Sequence, residues 1–251
     1  MFTQGSTMAQ ILKSAHPIAN TADAVPKEQI QNDVKQILDL VYGGGVAILP
    51  LDVAYAVIGS KENAIKRIFA AKKRSYEKPS GLFSNWQFSN EIHILPDEKR
   101  AMIREIIDQE KLPFSVVAPF KKDHSFFKDV DPFVIQNSSK ANTIDMLLNA
   151  GDLHNEIARQ SWEAGTPVFG SSANTSLMGS KYRVEDIEPE VLNAVDLIVD
   201  YGLSKYHNNL GRSSTIIDFS DFSVIRVGVV FDQLKSAFKS RFNVDLKVNP
   251  H

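Results

Sequence analysis

Ala70–Gly81 reads AAKKRSYEKPSG and Val168–Ser176 reads VFGSSANTS, and the fold is argued outward from this pair. The first stretch offers the cations Lys72, Arg74 and Lys78, followed by Pro79; the second offers Ser172, Asn174, Thr175 and Ser176. Cations on one segment and hydroxyls with an amide on the other suit an anionic ligand such as a nucleotide phosphate.

Ser60 to Arg74 predicts a helix, with Ser60 as N-cap and Ile65, Ile68 and Phe69 as its buried stripe. Lys72 and Arg74 then fall at its C-terminal end. Cations there complement the helix dipole by roughly a few tenths of a kcal/mol, so taken alone they describe a solvated helix terminus. Between Lys61 and Lys78, however, seven Lys or Arg stand against Glu62 and Glu77, a local surplus of five in a chain of formal net charge −2. A basic focus on a nearly neutral protein predicts a local anion site; a polyanion-coating domain would be strongly basic throughout.

The second stretch reads as a strand, Thr166–Phe169, ending in small polar residues. Gly170, Ser171, Ser172 and Ala173 let the backbone approach a ligand closely, and the Ser172 hydroxyl and Asn174 amide can both donate and accept hydrogen bonds. On its own this segment reads as an ordinary turn, since Ser, Asn and Gly dominate turns. A third stretch, Gly211–Asp218 (GRSSTIID), puts hydroxyls at the mouth of another apolar strand. Ligand sites of open α/β sheets lie at such strand ends.

In order and spacing these residues resemble the YrdC-like family of threonylcarbamoyl-adenylate synthases, including the domain shared by its longer members. The family pattern runs from a Gly-rich turn and strand into a Pro-Thr-x-Thr-x-Tyr-Gly loop. A Lys-x-Arg helix end with Lys-Pro, a Ser-x-Asn loop, a Ser-Thr strand start and a late Arg follow. This chain supplies Gly43–Gly45, Val46–Pro50, Asp52, Tyr55, Lys72, Arg74, Lys78-Pro79, Ser172, Asn174, Ser176, Ser214-Thr215 and Arg226, so the resemblance covers about residues 26–230. Pro50-Leu51-Asp52-Val53-Ala54-Tyr55-Ala56 departs from the pattern by lacking both threonines and the final glycine. The family's Trp-Pro-Gly-x-x-Thr appears as Lys111-Leu112-Pro113-Phe114-Ser115, keeping one hydroxyl. Its Arg-x-Pro is expected within Thr143–Leu148, where no Arg stands. The nucleotide half is expected intact and the amino-acid half altered.

At 251 residues and 43% apolar content the chain can bury a full core. No stretch approaches the ~20 consecutive apolar residues of a membrane span, no secretory pattern opens the sequence, and a cytoplasmic location is expected. The absence of cysteine excludes disulfides, thiolate nucleophiles and Cys-ligated metals. The six histidines, 16, 93, 124, 154, 207 and 251, form no ligand pair at helical spacing, and no metal site is assigned.

Residues 1–25 read as an N-terminal extension, a loose segment or short arm, and 26–251 as one domain. A helix follows Pro26, with Ile30, Val34, Ile37, Leu38 and Val41 on one face, ended by Gly43–Gly45. Strands are predicted at 46–50, 114–119, 196–200, 215–219 and 224–230. Further helices are predicted at about 97–109 and 152–164, with a closing helix carrying Leu234, Phe238 and Phe242. Interleaved strands and helices predict an α/β fold.

The resemblance makes this an open, twisted, mixed sheet with flanking helices and a concave basic cleft. The longer members add a second domain after a linker, and none is expected within these 251 residues. It also implies a nucleotidyltransferase that condenses ATP, bicarbonate and L-threonine into threonylcarbamoyl-adenylate and pyrophosphate for tRNA modification, with magnesium bridging the phosphates. Lys72, Arg74, Ser172 and Asn174 would carry the reaction, and Lys78, Ser176, Ser214, Arg226 and Tyr55 would line the nucleotide site. Two other readings stand beside it: a divergent paralogue with another amino or acyl substrate, and a noncatalytic double-stranded RNA-binding module, since family members have been associated with such RNA. For RNA the acidic net charge implies at most a weak contact through residues 61–78, with Tyr76 the lone aromatic beside it.

Overall fold

Ile30, Val34, Ile37, Leu38 and Val41 are buried along one face of helix α1 (Lys27–Tyr42), as their three- and four-residue spacing demands. The helix stops where Gly44 turns to φ +93°, a conformation that favours glycine. The computed structural model describes residues 9–13, 25–75 and 77–248. Tyr76, His16 and His251, singled out in the sequence, lie outside them.

Among the described residues twelve strands form one sheet. In chain order they are β1 (Gln10–Lys13), β2 (Ala47–Leu49), β3 (Ala56–Gly59), β4 (Gly81–Phe83), β5 (Phe114–Pro119), β6 (Ser139–Lys140), β7 (Thr143–Leu148), β8 (Phe169–Ser172), β9 (Leu197–Asp200), β10 (Ile216–Asp218), β11 (Ser223–Arg226) and β12 (Lys247–Val248). Their order is β1-β9-β2-β3-β8-β4-β7-β5-β10-β11-β12, with β6 paired to β7. Parallel pairs such as β4/β7 and β5/β10 mix with antiparallel ones such as β3/β8 and β5/β7, giving the open mixed sheet the sequence predicted. Helices α2 (Glu62–Ala71), α3 (Trp86–Ile92), α4 (Asp97–Glu105), α5 (Pro132–Gln136), α6 (Asp152–Glu163), α7 (Pro189–Leu192) and α8 (Phe231–Phe242) flank it. Aromatic side chains fill two parts of the core: Phe88, Phe126 and Trp162 in one, Phe114, Phe219, Phe222 and Phe238 in the other.

Four local expectations change. Ser60 does not cap α2: Lys61 stands at that position, and the buried Ser60 hydroxyl donates to the Val41 carbonyl at 2.8 Å, beside the bond that carbonyl accepts from Gly44 N at the end of α1. The strand expected at Thr166–Phe169 runs instead from Phe169 to Ser172, so Ser171 and Ser172 belong to the ladder itself. Pro167 cannot donate to a ladder, and the Thr166 carbonyl accepts from Ser161 Oγ at 2.7 Å. Third, the extension contributes an edge strand, Gln10–Lys13, parallel to β9. Fourth, the last two strands are shorter than predicted, because the chain beyond Arg226 crosses close over Ser213–Thr215. Thr215 Oγ1 donates to the Val229 carbonyl at 2.8 Å and Gly228 N donates to Thr215 Oγ1 at 3.1 Å.

That crossing depends on glycine. A Cβ at Gly228 would sit 2.1 Å from the Ser213 carbonyl oxygen and 2.4 Å from the Thr215 nitrogen, both backbone atoms that cannot rotate away. Gly228→Ala should therefore destabilise the fold by about 3 kcal/mol or more, measured by urea unfolding. A variant within experimental error of the parent protein contradicts this packing.

Candidate functional site

α2 ends at Lys72, and Lys73 turns the chain back with φ +49°. Lys72 is 1% exposed. Its ammonium donates to the carbonyl oxygens of Ser172 and Asn174, and its own carbonyl accepts from Ser176 N at 2.8 Å. Burial, reinforced by the nearby Arg74 charge and opposed by Glu188, lowers its pKa to about 7. The solvated helix terminus expected from sequence is thus replaced by a buried clamp between α2 and the loop after β8. No cleft opens between Lys72 and that loop, because the side chain fills the gap.

Arg74 is committed in a similar way. Its Nε donates to the Lys78 carbonyl at 2.8 Å, Nη2 to the Pro79 carbonyl at 2.7 Å and Nη1 to Ser171 Oγ at 3.1 Å. One guanidinium therefore ties the Lys78-Pro79 turn to β8, while the Lys78 side chain is exposed. Burial and the Arg226 charge lower the Arg74 pKa, with Asp145 acting in the other direction.

The loop that follows β8 is held by its backbone. Ala173 N donates to the Tyr55 carbonyl at 2.8 Å and Thr175 N donates to Glu188 Oε2 at 3.0 Å. Asn174 Nδ2 donates to the Thr175 carbonyl, whereas Asn174 Oδ1 and Ser176 Oγ are buried without a partner among the described residues. Tyr55 braces this loop from behind. Its ring is fully buried and its hydroxyl donates to the Gly202 carbonyl at 2.8 Å and Asp200 Oδ1 at 3.1 Å, so the structure does not bring that hydroxyl to the site. Burial and the Asp200 charge raise the Tyr55 pKa. Leu51, Val53 and Ala56 are core residues as well.

Across the sheet, Ser214 and Arg226 form the facing wall. Arg226 Nε and Nη2 donate to the Ser214 carbonyl at 3.0 and 2.8 Å, Nη2 also to Ser214 Oγ at 3.0 Å, and the Ser115 and Ser214 hydroxyls lie 3.3 Å apart. Burial of the Arg226 guanidinium lowers its pKa, opposed by the Asp145 charge, while the residue as a whole keeps exposed surface.

Between these walls stands Asp145, which the sequence reading passed over. The registers Val117↔Asp145 and Ser115↔Leu147 place Ser115, Val117, Asp145 and Leu147 on one face, opposite the buried Phe114, Val116, Ile144 and Met146. Asp145 Oδ1 is buried with no hydrogen-bond partner among the described residues, and no ion pair within 4 Å joins it to either arginine. Burial raises its pKa, while the charges of Arg226 and Arg74 and the Ser115 hydroxyl hold it down. The signal was a lone acid in an otherwise apolar, alternating strand, TIDMLL, where the family resemblance led us to look for an arginine.

The basic run does not gather at one anion site. Arg67 pairs with Asp196 at 3.0 Å, Lys66 with Glu62 and Lys73 with Glu190 at 3.3 Å, leaving Arg74 and Lys78 beside the polar face. Helical geometry sends successive cations in different directions. Lys61 and Lys66 line a separate cavity of about 680 Å³ with Lys128, Asp129 and Asp131. His93 and His154 are buried, and burial lowers both pKa values to about 4. Among the described residues no group of three His, Asp or Glu is placed to hold a metal ion, and no helix is long and apolar enough to cross a membrane.

Sheet order and this charged polar face define an open mixed-sheet α/β protein. Residues 39–228 match the model of the Sua5/YciO/YrdC family, described as Telomere recombination, and the chain belongs to that family. A protein of Methanocaldococcus jannaschii, described as "Putative threonylcarbamoyl-AMP synthase", is 25% identical over 211 residues, or 80% of this chain and 89% of its own. A hypothetical protein from Streptococcus mutans superposes with a TM-score of 0.74 at 20% identity, over 98% of this chain and all of that one. P. abyssi Sua5 complexed with L-threonine gives a TM-score of 0.68 at 18% identity over 97% of this chain, which spans 63% of the Sua5 chain. At such identities these two structures speak for the fold.

Two outcomes follow from the Lys72 clamp. Lys72→Ala strands the Asn174 carbonyl, while the Ser172 carbonyl keeps Asn174 N at 2.9 Å; at roughly 1–3 kcal/mol for a buried group left unpaired, its midpoint in thermal unfolding should fall by several degrees. An unchanged midpoint contradicts the clamp. The second outcome is a pH signature. Above about pH 7 the folded Lys72 gives up its proton while the unfolded chain keeps it to about 10.5, so the unfolded state binds more protons and stability rises with pH in this interval. Urea titrations at about pH 7 and pH 9 should record that rise, and Lys72→Met should flatten it; parallel behaviour of the two proteins contradicts the assignment.

Proposed function

We propose that the chain binds an adenine nucleotide on the face between Arg74 and Arg226 and forms a carbamoyl-adenylate, a nucleotidyltransferase of the threonylcarbamoyl-AMP synthase type. The observations that carry this reading are the buried, unpartnered Asp145 Oδ1, which feels the charges of both Arg74 and Arg226, and the unpartnered Asn174 Oδ1 and Ser176 Oγ on the loop that Lys72 holds. Buried polar groups normally have partners, and a ligand supplies them here. The description of the M. jannaschii relative and the L-threonine held by P. abyssi Sua5 support the same reading.

The chemistry needs no covalent protein nucleophile. A neutral amine and bicarbonate give a carbamate and one water; a carbamate oxygen then attacks the α-phosphorus of ATP and pyrophosphate leaves with the electrons of the broken P–O bond. The protein's part is positioning and charge. Arg226 Nη1, which has no partner among the described residues, and the exposed Lys78 ammonium meet phosphate oxygens, with the Ser172 and Ser214 hydroxyls and the Asn174 amide orienting the nucleotide. Lys72 acts through the loop it holds, as a positioning residue. Magnesium, expected with ATP, would arrive on the triphosphate: the carboxylate of this site, Asp145, stands between two guanidiniums that oppose a dication. The adenylate would serve tRNA modification, a role consistent with a cytoplasmic location. RNA binding without catalysis is the weaker reading, since the basic run is largely paired internally.

Calorimetric titration with AMP and ATP tests the proposal. Arg226→Ala should weaken nucleotide binding by about 10- to 100-fold, the loss of one charge-assisted contact of roughly 1.5–3 kcal/mol. Failure of either nucleotide to bind the unsubstituted protein overturns the reading, and affinity unchanged in Arg226→Ala removes Arg226 from the site.

A further inference from the structure

The peptide unit between Asn174 and Thr175 is held at both ends by charged side chains. Its carbonyl oxygen, that of Asn174, accepts from the buried Lys72 ammonium. Its N–H, that of Thr175, donates to Glu188 Oε2 at 3.0 Å. The peptide is trans, so the two groups point in opposite directions and the ammonium and the carboxylate stand on opposite sides of one rigid plane. Each charge also suits the end of the peptide dipole that it meets.

Glu188 is not spent on its own helix. It stands immediately before α7, a position from which side chains commonly cap, yet its carboxylate makes no capping bond there and reaches back thirteen residues to Thr175. The helix that carries it packs against α2. The second carboxylate oxygen, Oε1, lies 2.9 Å from Lys181 Nζ, with both side chains largely shielded from solvent.

Polar contacts of this kind must set the shape of the loop, because apolar burial does not. Its ends close on Tyr55, whose carbonyl accepts from Ala173 N and whose N donates to the Lys181 carbonyl, both at 2.8 Å. In its middle, Leu177 and Met178 are 89% and 61% exposed. The side chains on either side of the gripped Thr175 N–H are Asn174 and Ser176, whose buried oxygens Oδ1 and Oγ have no partner among the described residues.

We infer that Glu188 is a positioning residue of the ligand site: with Lys72 it grips the Asn174–Thr175 peptide from opposite sides and so aims Asn174 and Ser176 at the nucleotide. This rests on the nucleotide reading above. Without the carboxylate the loop would keep its closed ends and lose the fixed plane between them, and ligand affinity would fall by the fraction of time the loop spends in other arrangements.

Glu188→Gln and Glu188→Met separate this role from a structural one, since both keep the length of the side chain and only Gln keeps an acceptor for Thr175 N. Calorimetric titration with AMP is made into the full chain and both variants, with amide exchange of the ligand-free proteins and melting curves alongside. Glu188→Met should weaken AMP binding about tenfold, as a loop in the binding arrangement about a tenth of the time would, and Glu188→Gln should stay within about threefold of the unsubstituted protein. Exchange in peptides covering residues 171–176 should quicken in Glu188→Met and not in Glu188→Gln, with residues 61–66 unchanged in both. Unchanged AMP affinity in a folded Glu188→Met, a Glu188→Gln as impaired as Glu188→Met, or a Glu188→Met that does not fold overturns the inference and leaves the nucleotide reading standing. Absence of AMP binding to the unsubstituted protein overturns that reading instead, and unchanged exchange at 171–176 in Glu188→Met overturns the grip whether or not AMP binds.

Discussion

The buried ammonium of Lys72 is the constraint on which the site depends. A lysine with almost no exposed surface is tolerated only where its N–H groups meet acceptors, and here the Ser172 and Asn174 carbonyls provide them. The contact fixes the end of α2 against the loop after β8. Everything downstream follows from that register: Arg74 lies two residues further on, within reach of Ser171, and its remaining nitrogens fold the Lys78-Pro79 turn back toward the sheet. Removing the clamp would release the loop that carries the unpartnered Asn174 and Ser176 oxygens.

Charge on the sheet face is balanced across long sequence distances. Burial lowers the pKa of both Arg74 and Arg226, the Arg226 charge adds to the effect on Arg74, Asp145 supports both, and neither forms a close ion pair with it. An arrangement of two cations around one acid, kept apart rather than collapsed into salt bridges, leaves hydrogen-bonding capacity for a ligand. The same groups in contact would have made a structural network with little to offer.

Regular elements with a strong local period were readable in the chain: α1 from its apolar stripe, β5 at Phe114–Pro119, and α6 to within a residue. Short buried strands were not. β3 and β4 are four and three residues long, too short to show a period, and β7 hides behind an aspartate that strands disfavour. Parts of the expected grouping were legible: Lys72 and Arg74 meet the Ser171–Asn174 segment and Arg226 meets Ser214, but their roles were not. That Lys72 is buried, that Tyr55 turns its hydroxyl away, and that Asp145 faces both arginines are consequences of pairing between distant strands, which residue type and spacing do not encode. Gly228 escaped notice for the same reason: its necessity lies in a backbone crossing.

The central claim is that a nucleotide occupies the face between Arg74 and Arg226 and closes on the Ser172–Ser176 loop. Amide hydrogen exchange with and without saturating AMP tests it most directly, since a bound ligand slows exchange where it adds contacts or stabilises local structure. The account predicts added protection in peptides covering residues 171–176 and 213–215, with residues 61–66 and 128–132, around the separate cavity, unchanged. Protection confined to that cavity, or no change at 171–176, would contradict it.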